Sequence, residues 1–237
     1  MKDQETQRSI SMVVKEIIKH NQDIWSFHLA PKEEGALENL SFIPGQVAVL
    51  SIPDVGESYF AIASAPEERG SLEFLIKRGR GVSEALFARG IGATVNMAGP
   101  LGKGYPVDSY RGRDLVLIGV GTAIAPLRSV IRSISFRREQ FGRVALIYGA
   151  RRAEDLCYIA EIDEWQQDSI NVHIILSRPE NGKWAGRVGY VSELLDEACR
   201  ESRQPVALLC GMKKMIHETT EELLRMGVKR EEILTNY

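Results

Sequence analysis

Gly119 and Gly121 are the residues whose type and spacing point most clearly to a chemical role. They belong to the run GVGTAIAPL, which follows the apolar segment 114–118 and opens a helix-like segment reaching about residue 138. A strand that enters a tight glycine turn and then a helix leaves backbone N–H groups directed at one point, which suits an anion. A nucleotide phosphate is therefore the predicted ligand, in preference to an ordinary strand-to-helix turn.

The turn departs from the common G-x-G-x-x-G pattern. Ile124 stands at the place of the third glycine, and Pro126 is placed to be an early residue of the helix. The next apolar segment, 144–148, is followed by Gly-Ala-Arg-Arg rather than by an acidic residue. This favours contacts with phosphate over the carboxylate–ribose contact of many dinucleotide sites.

The elements that must position this turn follow two different patterns along the chain. The first hundred residues alternate polar and apolar side chains in short runs separated by proline and glycine, with one helical segment at 83–88. This pattern predicts an antiparallel β-barrel or sandwich. The predicted strands are 11–18, 24–29, 46–52, 59–64, 71–77 and 93–97.

From residue 114 onward, apolar strands alternate with helix-length segments, which predicts an α/β doubly wound domain, a parallel sheet with helices on both faces. The predicted strands are 114–118, 143–148, 171–176, 205–209 and 231–235, and the predicted helices are 124–139, 154–166, 190–202 and 212–226. The expected domains are residues 1–110 and 111–237, sharing a cleft at their junction.

Composition excludes several classes of function. A chain of 237 residues with a net charge of −2 lacks the basic excess of a general nucleic-acid-binding protein. No segment approaches the roughly 18 continuous apolar residues of a membrane span, and the first residues are polar rather than signal-like. We therefore expect a protein of a reducing, cytoplasmic compartment with no nucleic-acid partner and no membrane span.

The metal-binding residue types are dispersed. Cys157, Cys199 and Cys210 are far apart, and the four histidines are scattered. This provides neither a disulfide framework nor a site of four cysteines for a cluster. We predict no metal site in the chain and expect any iron–sulfur centre to lie on another protein.

The order of several short motifs resembles the ferredoxin-NADP reductase family over nearly the whole chain. The motifs are Phe42-x-Pro44-Gly45-Gln46, Ile62-Ala63-Ser64, Gly81-Val82-Ser83, Gly99-Pro100-x-Gly102, the glycine turn, Cys210-Gly211 and the terminal Thr235-Asn236-Tyr237. The resemblance implies that the antiparallel domain is a β-barrel that binds FAD and that the α/β domain binds NAD(P)H. Within the family, the chain is most similar to single-module reductases without their own iron–sulfur cluster.

In that family an Arg-x-Tyr-Ser-x-Ala-Ser pattern holds the flavin, and it corresponds here to residues 58–64. Ser58 replaces the arginine, Phe60 the tyrosine and Ala61 the serine. Serine lacks the two-pronged hydrogen bonding of a guanidinium, so a weaker hold on the pyrophosphate is expected. The FAD contacts implied by the resemblance are Phe60, Ala61, Ile62, Ala63 and Ser64.

A second FAD contact is implied where the helical segment 83–88 begins. Gly81, Val82 and Ser83 resemble the family's phosphate-binding turn, and Lys77 closes the strand before it. The neighbouring Arg78 and Arg80 have two open interpretations, phosphate binding and an ordinary solvated face.

In the second domain, the resemblance implies pyrophosphate contacts from Gly119, Gly121, Thr122, Ala125 and Pro126. Ser177 and Arg178 end the third strand, where relatives that use the 2′-phosphorylated nucleotide often carry a serine and an arginine, and Arg187 follows. These three side chains could clamp that phosphate. Arg187 alternatively pairs with a nearby carboxylate, so the cofactor is written NAD(P)H, with a slight preference for the phosphorylated form.

Cys210 and Gly211 end the fourth strand, where the family's Cys-Gly-Pro adjoins the nicotinamide, and Met212 replaces the proline. A buried structural role is the alternative for Cys210. Tyr237, the last residue, implies an aromatic ring on the flavin face, with a frayed terminus as the alternative. In the catalytic set that the resemblance implies, Ser64, Cys210 and Tyr237 orient the reacting rings rather than exchange protons.

These features predict a flavin-dependent NAD(P)H oxidoreductase. Nicotinamide C4 passes hydride to flavin N5, and FAD then gives single electrons to a partner such as a ferredoxin or an iron–sulfur subunit. Two alternatives remain open. One is a non-catalytic nucleotide-binding or regulatory module with a degenerate flavin site, and the other is an electron-transfer subunit of a larger iron–sulfur complex.

Overall fold

A computed structural model describes residues 9–236, so the predicted site residue Tyr237 lies outside the described part of the chain. The described residues form two six-stranded sheets, an antiparallel one followed by a parallel one. Both halves of the predicted fold class are thereby confirmed. Between residues 9 and 236, no helix combines the length and the apolar character needed to cross a bilayer.

The first sheet is closed on itself. Its elements are β1 Ile10–Lys19, β2 Ile24–Pro31, β3 Val47–Ile52, β4 Gly56–Ala61, β5 Leu72–Lys77, helix α1 Val82–Arg89 and β6 Thr94–Leu101. The strands pair in the order β4-β3-β6-β1-β2-β5. A bridge between Ile62 and Phe74 joins the two edges, and the Ala63 amide donates to the Glu73 carbonyl at 2.8 Å. The sheet is therefore a barrel.

The second sheet is parallel and covered on both faces. Its elements are β7 Leu115–Val120, α2 Ile124–Ser135, β8 Val144–Ala150, α3 Ile162–Gln167, β9 Ile170–Leu176, β10 Arg187–Val188, α4 Leu195–Cys199, β11 Val206–Cys210, α5 Lys213–Arg225 and β12 Ile233–Thr235. Leu127 and Val130 of α2 pack in one buried cluster, and Leu195 of α4 and Leu223 of α5 pack in another. The alternation of strands and helices predicted a doubly wound domain, and this packing confirms it.

The strand order β10-β9-β8-β7-β11-β12 reverses direction between β7 and β11. In doubly wound sheets, ligands bind outside the carboxyl ends of the strands at such a reversal. Gly119 of β7 and Cys210 of β11 are register partners at this place. Two of the sequence-predicted motifs therefore meet where the topology favours a ligand.

The predicted helix 154–166 is wrong over its first part. The chain there makes two single turns, Ala153–Asp155 and Ile159–Glu161, before α3 begins. Tyr158 has φ of 58°, which no α-helix accommodates, and its N–H donates to Nδ1 of the barrel residue His20 at 3.3 Å. A contact with the other domain thus overrides the local helical pattern.

Two further elements differ from the prediction at the edge of the α/β domain. Helix α4 covers only the middle of the predicted range 190–202, after a single turn at Val191–Leu194. The two-residue strand β10 was not predicted, because Arg187 and Val188 are exposed and show no alternation of buried and exposed positions.

The two domains share a buried core at their junction. Barrel residues Ala63, Leu75 and Tyr105 lie in the same cluster as Leu127 and Val130 of α2. The Tyr105 hydroxyl also donates to the Leu209 carbonyl of β11 at 2.8 Å. The halves are therefore packed together, while the exact boundary after residue 110 stays a prediction.

Candidate functional site

The flavin segment, defined here as residues 58–64, runs from β4 toward the junction. Ser58 is half-buried, and its register partner on β3 is Leu50. Phe60 packs against the barrel core, whereas its neighbour Tyr59 is 66% exposed. The segment therefore offers aromatic surface but no cation at position 58.

The second half of the flavin segment takes part in closing the barrel. Ile62 is buried in the barrel core, and Ala61 and Ala63 belong to the cluster shared by both domains. Ser64 is buried, and its Oγ accepts a hydrogen bond from the Glu73 N–H at 2.6 Å. The hydroxyl thus stabilises the closed barrel, and its predicted role in orienting flavin stays a prediction.

The turn before α1 leaves an open approach to backbone N–H groups. Gly81 has φ of 62°, and nothing lies within 4 Å of the place where a Cβ would stand. Val82 and Ser83 are buried as the first helical residues, and Ser83 Oγ donates to the Arg80 carbonyl at 3.0 Å. Because the first amides of a helix lack intrahelical acceptors, this turn can hold a phosphate.

Three cations surround this turn. Lys77 and Arg80 are exposed and, among the described residues, form no ion pair. Arg78 Nε instead lies 3.3 Å from Glu84 Oε2, and the Arg78 guanidinium lies 5.3 Å from the centre of the Phe87 ring. The geometry favours a solvated role for Arg78 and leaves Lys77 and Arg80 available to an anion.

The two glycines of the second turn serve different purposes. A Cβ on Gly119 would stand 2.6 Å from Leu127 Cδ1, so glycine there allows α2 to pack against β7. Gly121 has φ of 55°, and the space where its Cβ would stand is open. The Tyr148 hydroxyl donates to the Gly121 carbonyl at 3.2 Å and fixes the turn.

The remaining predicted contacts of this turn differ in exposure. Thr122 is half-buried in the turn, and Ala125 and Pro126 are buried at the start of α2. Proline is tolerated there because the first turn of a helix needs no backbone N–H donor. The strand, turn and helix predicted around Gly119 are therefore present together.

Cys210 is mostly buried at the carboxyl end of β11. Its Sγ lies 3.8 Å from Asn236 Oδ1, and Asn236 Nδ2 donates to the Gly45 carbonyl of the barrel at 3.1 Å. Burial raises the pKa of the Cys210 thiol to about 12. The thiol is therefore neutral at physiological pH and can line a ring-binding pocket without acting as a nucleophile.

Gly211 and Met212 form the rim beside Cys210. Gly211 has φ of 156°, and a Cβ there would stand 3.0 Å from Val120 Cγ2 and against the flexible end of the Met215 side chain. Met212 is 65% exposed. The methionine that replaces the family's proline therefore stands at the mouth of the site.

The three candidate residues for binding a 2′-phosphate, Ser177, Arg178 and Arg187, follow β9. Only Ser177 and Arg178 lie beside the arginine that follows β8. The Arg178 N–H donates to the Arg151 carbonyl at 2.8 Å, so Ser177 and Arg178 adjoin the arginine that follows β8. Arg187 Nη2 lies 2.8 Å from Glu197 Oε2. Arg187 therefore pairs with a carboxylate, which was the alternative interpretation of this residue.

A buried charge cluster at the junction was missed by the sequence analysis. Arg128 of α2 has Nη1 2.8 Å from Glu73 Oε2 of the barrel and Nη2 2.7 Å from Glu161 Oε1. Its guanidinium lies 4.5 Å from the centre of the Tyr158 ring. Burial alone lowers the pKa of Arg128, but hydrogen bonds to Glu161 and the charge of Glu73 raise it overall. The available sequence signal was a carboxylate in the apolar run 72–76.

A hydrogen-bonded chain extends from this cluster into the barrel. His20 Nδ1 accepts from the Tyr158 N–H, so the neutral ring carries its proton on Nε2, which donates to Ser26 Oγ at 2.9 Å. Ser26 Oγ donates to the Tyr158 hydroxyl at 3.1 Å, which donates to Glu73 Oε1 at 2.9 Å. Burial raises the pKa of Glu73, but the charges of Arg128 and His28 together with hydrogen bonds from Ser26 and Tyr158 lower it overall.

The residues present fit a flavin nucleotide and a pyridine nucleotide. Gly81 and Gly121 each leave open space over a helix N-terminus, which any larger residue would begin to fill. Phe60, half-buried against the barrel core, supplies an aromatic surface. Ser58 offers no cation, whereas the exposed Lys77 and Arg80 lie next to the turn at Gly81 along the chain.

A closed antiparallel barrel packed against a doubly wound parallel sheet is the architecture of the FAD- and NAD-binding oxidoreductases. Residues 9–105 match the family described as "Oxidoreductase FAD-binding domain", and residues 117–221 match the "Oxidoreductase NAD-binding domain". The chain belongs to the ferredoxin-NADP reductase-like family of NAD(P)H-dependent flavin oxidoreductases.

Individual relatives agree with this assignment. The gamma subunit of sulfhydrogenase 1 from Pyrococcus furiosus is 33% identical over 83% of this chain and 68% of that protein. Ferredoxin–NADP reductase B from Sorangium cellulosum is 31% identical over 81% of this chain and 83% of that protein. The structure of the ferredoxin reductase in carbazole 1,9a-dioxygenase has a TM-score of 0.82 at 25% identity, covering 97% of this chain and 69% of that one. The predicted family and its cofactors, FAD and NAD(P), are confirmed.

Proposed function

We propose that this chain oxidises NAD(P)H through bound FAD and delivers the electrons to an iron–sulfur protein that is a separate polypeptide. The observation that carries the proposal is the position of Cys210: it is the register partner of Gly119 and packs against the same cluster as Ala61 of the flavin segment. The similarity to a protein named as a sulfhydrogenase subunit and to a ferredoxin reductase favours a ferredoxin or an iron–sulfur subunit as the acceptor.

The chain's own residues bind and orient the two cofactors. FAD, when bound, accepts hydride from NAD(P)H and releases electrons singly. The turn at Gly81 with Lys77 would hold one pyrophosphate, and the turn at Gly121 would hold the other. Cys210 and the buried Asn236 would line the nicotinamide pocket and exclude water from it. No side chain in this arrangement has to exchange a proton.

The arrangement after β9 supports a preference for the 2′-phosphorylated nucleotide. Arg178 and Arg151 adjoin each other, both are exposed, and Ser177 lies beside them. Two guanidinium groups and a hydroxyl form a suitable phosphate site. Arg187 is left out of this proposed phosphate site, since its Nη2 lies 2.8 Å from Glu197 Oε2.

A cytoplasmic location is part of the proposal. Cys157, Cys199 and Cys210 are all free thiols. Free thiols are the usual state of cysteines in a reducing compartment.

The test is the visible spectrum of the purified protein with FAD, followed by anaerobic addition of NADH or NADPH. We expect the flavin band to bleach, faster with NADPH, and the reduced protein to pass electrons to an added ferredoxin. Arg178→Ala should raise KM for NADPH about tenfold and leave KM for NADH unchanged. Arg152→Ala, an exposed arginine paired with Glu154, is the matched control and should change neither.

One outcome of this experiment would contradict the proposal. A colourless protein that neither retains FAD nor oxidises either nucleotide would favour the non-catalytic module, in which the altered residues 58–61 no longer bind flavin.

A further inference from the structure

One face of α2 is polar and yet buried. Arg128 is 6% exposed, and Ser129 and Ser133 are fully buried. Buried polar side chains need hydrogen-bond partners, because an unpaired one destabilises the fold. All three have partners on the barrel, so this face of α2 is directed at the other domain.

The first two of these residues bind the backbone of the flavin segment. Arg128 Nη1 donates to the Ala63 carbonyl at 3.0 Å, and Ser129 Oγ donates to the Ser64 carbonyl at 2.6 Å. Ser129 Oγ also accepts from the Gly45 N–H at 3.2 Å. One turn of α2 is therefore fixed to two separate backbone segments of the barrel.

The same helix begins at the glycine turn that would hold the nicotinamide nucleotide. Gly121 leads directly into α2, and Phe60 stands a few residues before the carbonyls that Arg128 and Ser129 bind. Helices and barrels are stiff over such short distances. A shift of α2 against residues 63–64 would therefore move one nucleotide site relative to the other.

We propose that Arg128 and Ser129 are positioning residues for electron transfer from NAD(P)H to FAD. By fixing the start of α2 to the carbonyls of Ala63 and Ser64, they set the separation of the nicotinamide and flavin rings. Neither residue touches the reacting atoms. The proposal rests on the FAD- and NAD(P)H-dependent reaction stated above.

The geometry of Arg128 explains why an arginine is needed there. Its Nε donates to both carboxylate oxygens of Glu161, at 2.9 and 2.8 Å, while Nη1 reaches Glu73 and Ala63 on the barrel. The guanidinium therefore bridges the two domains: Nε and Nη2 bind Glu161 of the α/β domain, and Nη1 binds the barrel. A lysine would keep the charge but could not make these contacts at once.

The test compares Arg128→Lys and Ser129→Ala with Ser133→Ala. Ser133 is a matched control, since it is equally buried on the same helix but donates to the Glu67 side chain at 3.0 Å rather than to the flavin segment. For each protein we would measure the separate affinities for FAD and NADP⁺, the rate of FAD reduction by NADPH, and the long-wavelength absorbance that stacked nicotinamide and flavin rings produce.

We expect Arg128→Lys and Ser129→Ala to bind each cofactor within about twofold of the original protein, but to reduce FAD at least about tenfold more slowly and with a weaker long-wavelength band. Ser133→Ala should retain both the rate and the band. If both test variants kept the original rate and band, the positioning role would be refuted while the proposed function stood. If the unsubstituted protein itself failed to reduce FAD, the proposed function would fail and the positioning role with it. Arg128→Lys decides the matter if Ser129→Ala does not fold.

Discussion

At the residue scale, Ser58 is where the flavin segment departs most from its family. Ser58 is half-buried on β4 and pairs in regular register with Leu50 of β3. Ser58→Arg should restore a charge-assisted, two-pronged phosphate contact and strengthen FAD binding by about 1 to 3 kcal/mol. Titration of the apoprotein with FAD, followed by flavin fluorescence, measures this change.

Ser58→Lys is the matched control for that substitution. Lysine brings the same charge without the planar fork, so it should recover only part of the gain. Equal affinities for the serine, lysine and arginine proteins would mean that the pyrophosphate is held elsewhere or not held at all, and the predicted weak point would be wrong.

Cys210 leads to a prediction about pH. Because burial raises the pKa of its thiol to about 12, the thiol stays protonated throughout the range in which the protein can be assayed. Cys210→Ala should slow FAD reduction by NAD(P)H several-fold, since the ring loses a contact, yet leave the shape of the rate-versus-pH curve unchanged between about pH 6 and pH 9. Stopped-flow measurement across this range is the check. A step near pH 8 to 9 that vanished in the alanine variant would show that the thiolate takes part.

At the element scale, the turn between β7 and α2 can be tested with a pair of glycines that have similar backbone strain. Gly121 and Gly112 both have positive φ, 55° and 77°, and open space at the Cβ position. Gly121→Ala and Gly112→Ala should each reduce the free energy of unfolding by about 1 kcal/mol. Only Gly121→Ala should weaken nucleotide binding, because its methyl group would enter the space over the α2 N-terminus.

Thermal unfolding and nucleotide titration separate these two effects. Nucleotide binding that weakened equally in both variants would indicate that the loss follows from reduced stability rather than from an occupied site at Gly121.

The elements themselves were largely predictable because their patterns are local. The alternation in residues 24–29 predicts a strand buried on one face, and the apolar run 114–118 predicts a strand buried on both. The structure has strands in both places. The segment 154–166 was not predictable in the same way. Tyr158 adopts a left-handed conformation in which its N–H donates to a histidine of the other domain, and no local pattern contains that contact.

At the scale of the whole molecule, the junction is the part that the sequence concealed. The spacing of glycines located the turns before α1 and α2, since each turn is encoded within a few residues. The cluster of Glu73, Arg128 and Tyr158 joins positions far apart in the chain, and each residue type is ordinary in its own element. Only the fold shows that these side chains are buried together, and so only the fold reveals what holds the two domains in one arrangement.

This junction should make the protein sensitive to acid. Burial lowers the pKa of His20 below its usual value of 6.5, because the ring is buried as a neutral group. An unfolded chain therefore takes up this proton more readily than the folded one, and stability falls as the pH drops below about 6.5. The lowered pKa of Glu73 acts in the same direction below its usual value of 4.5, because the folded state favours the charged carboxylate.

Thermal unfolding between pH 7.5 and pH 5 tests the contribution of His20, and the retention of FAD at each pH reports on the junction directly. His20→Gln should lower the Tm at pH 7.5 but flatten its decline toward pH 5, because the titrating group is gone while an amide can still bind Ser26. His217→Gln removes an exposed histidine of α5 and should leave the decline as steep as in the original protein. An undiminished decline in His20→Gln would place the acid-sensitive group elsewhere. If His20→Gln showed a flatter decline of Tm and kept FAD at pH 5 where the original protein lost it, protonation of His20 would be shown to loosen the contact between the domains. The flavin site would be shown to loosen with it.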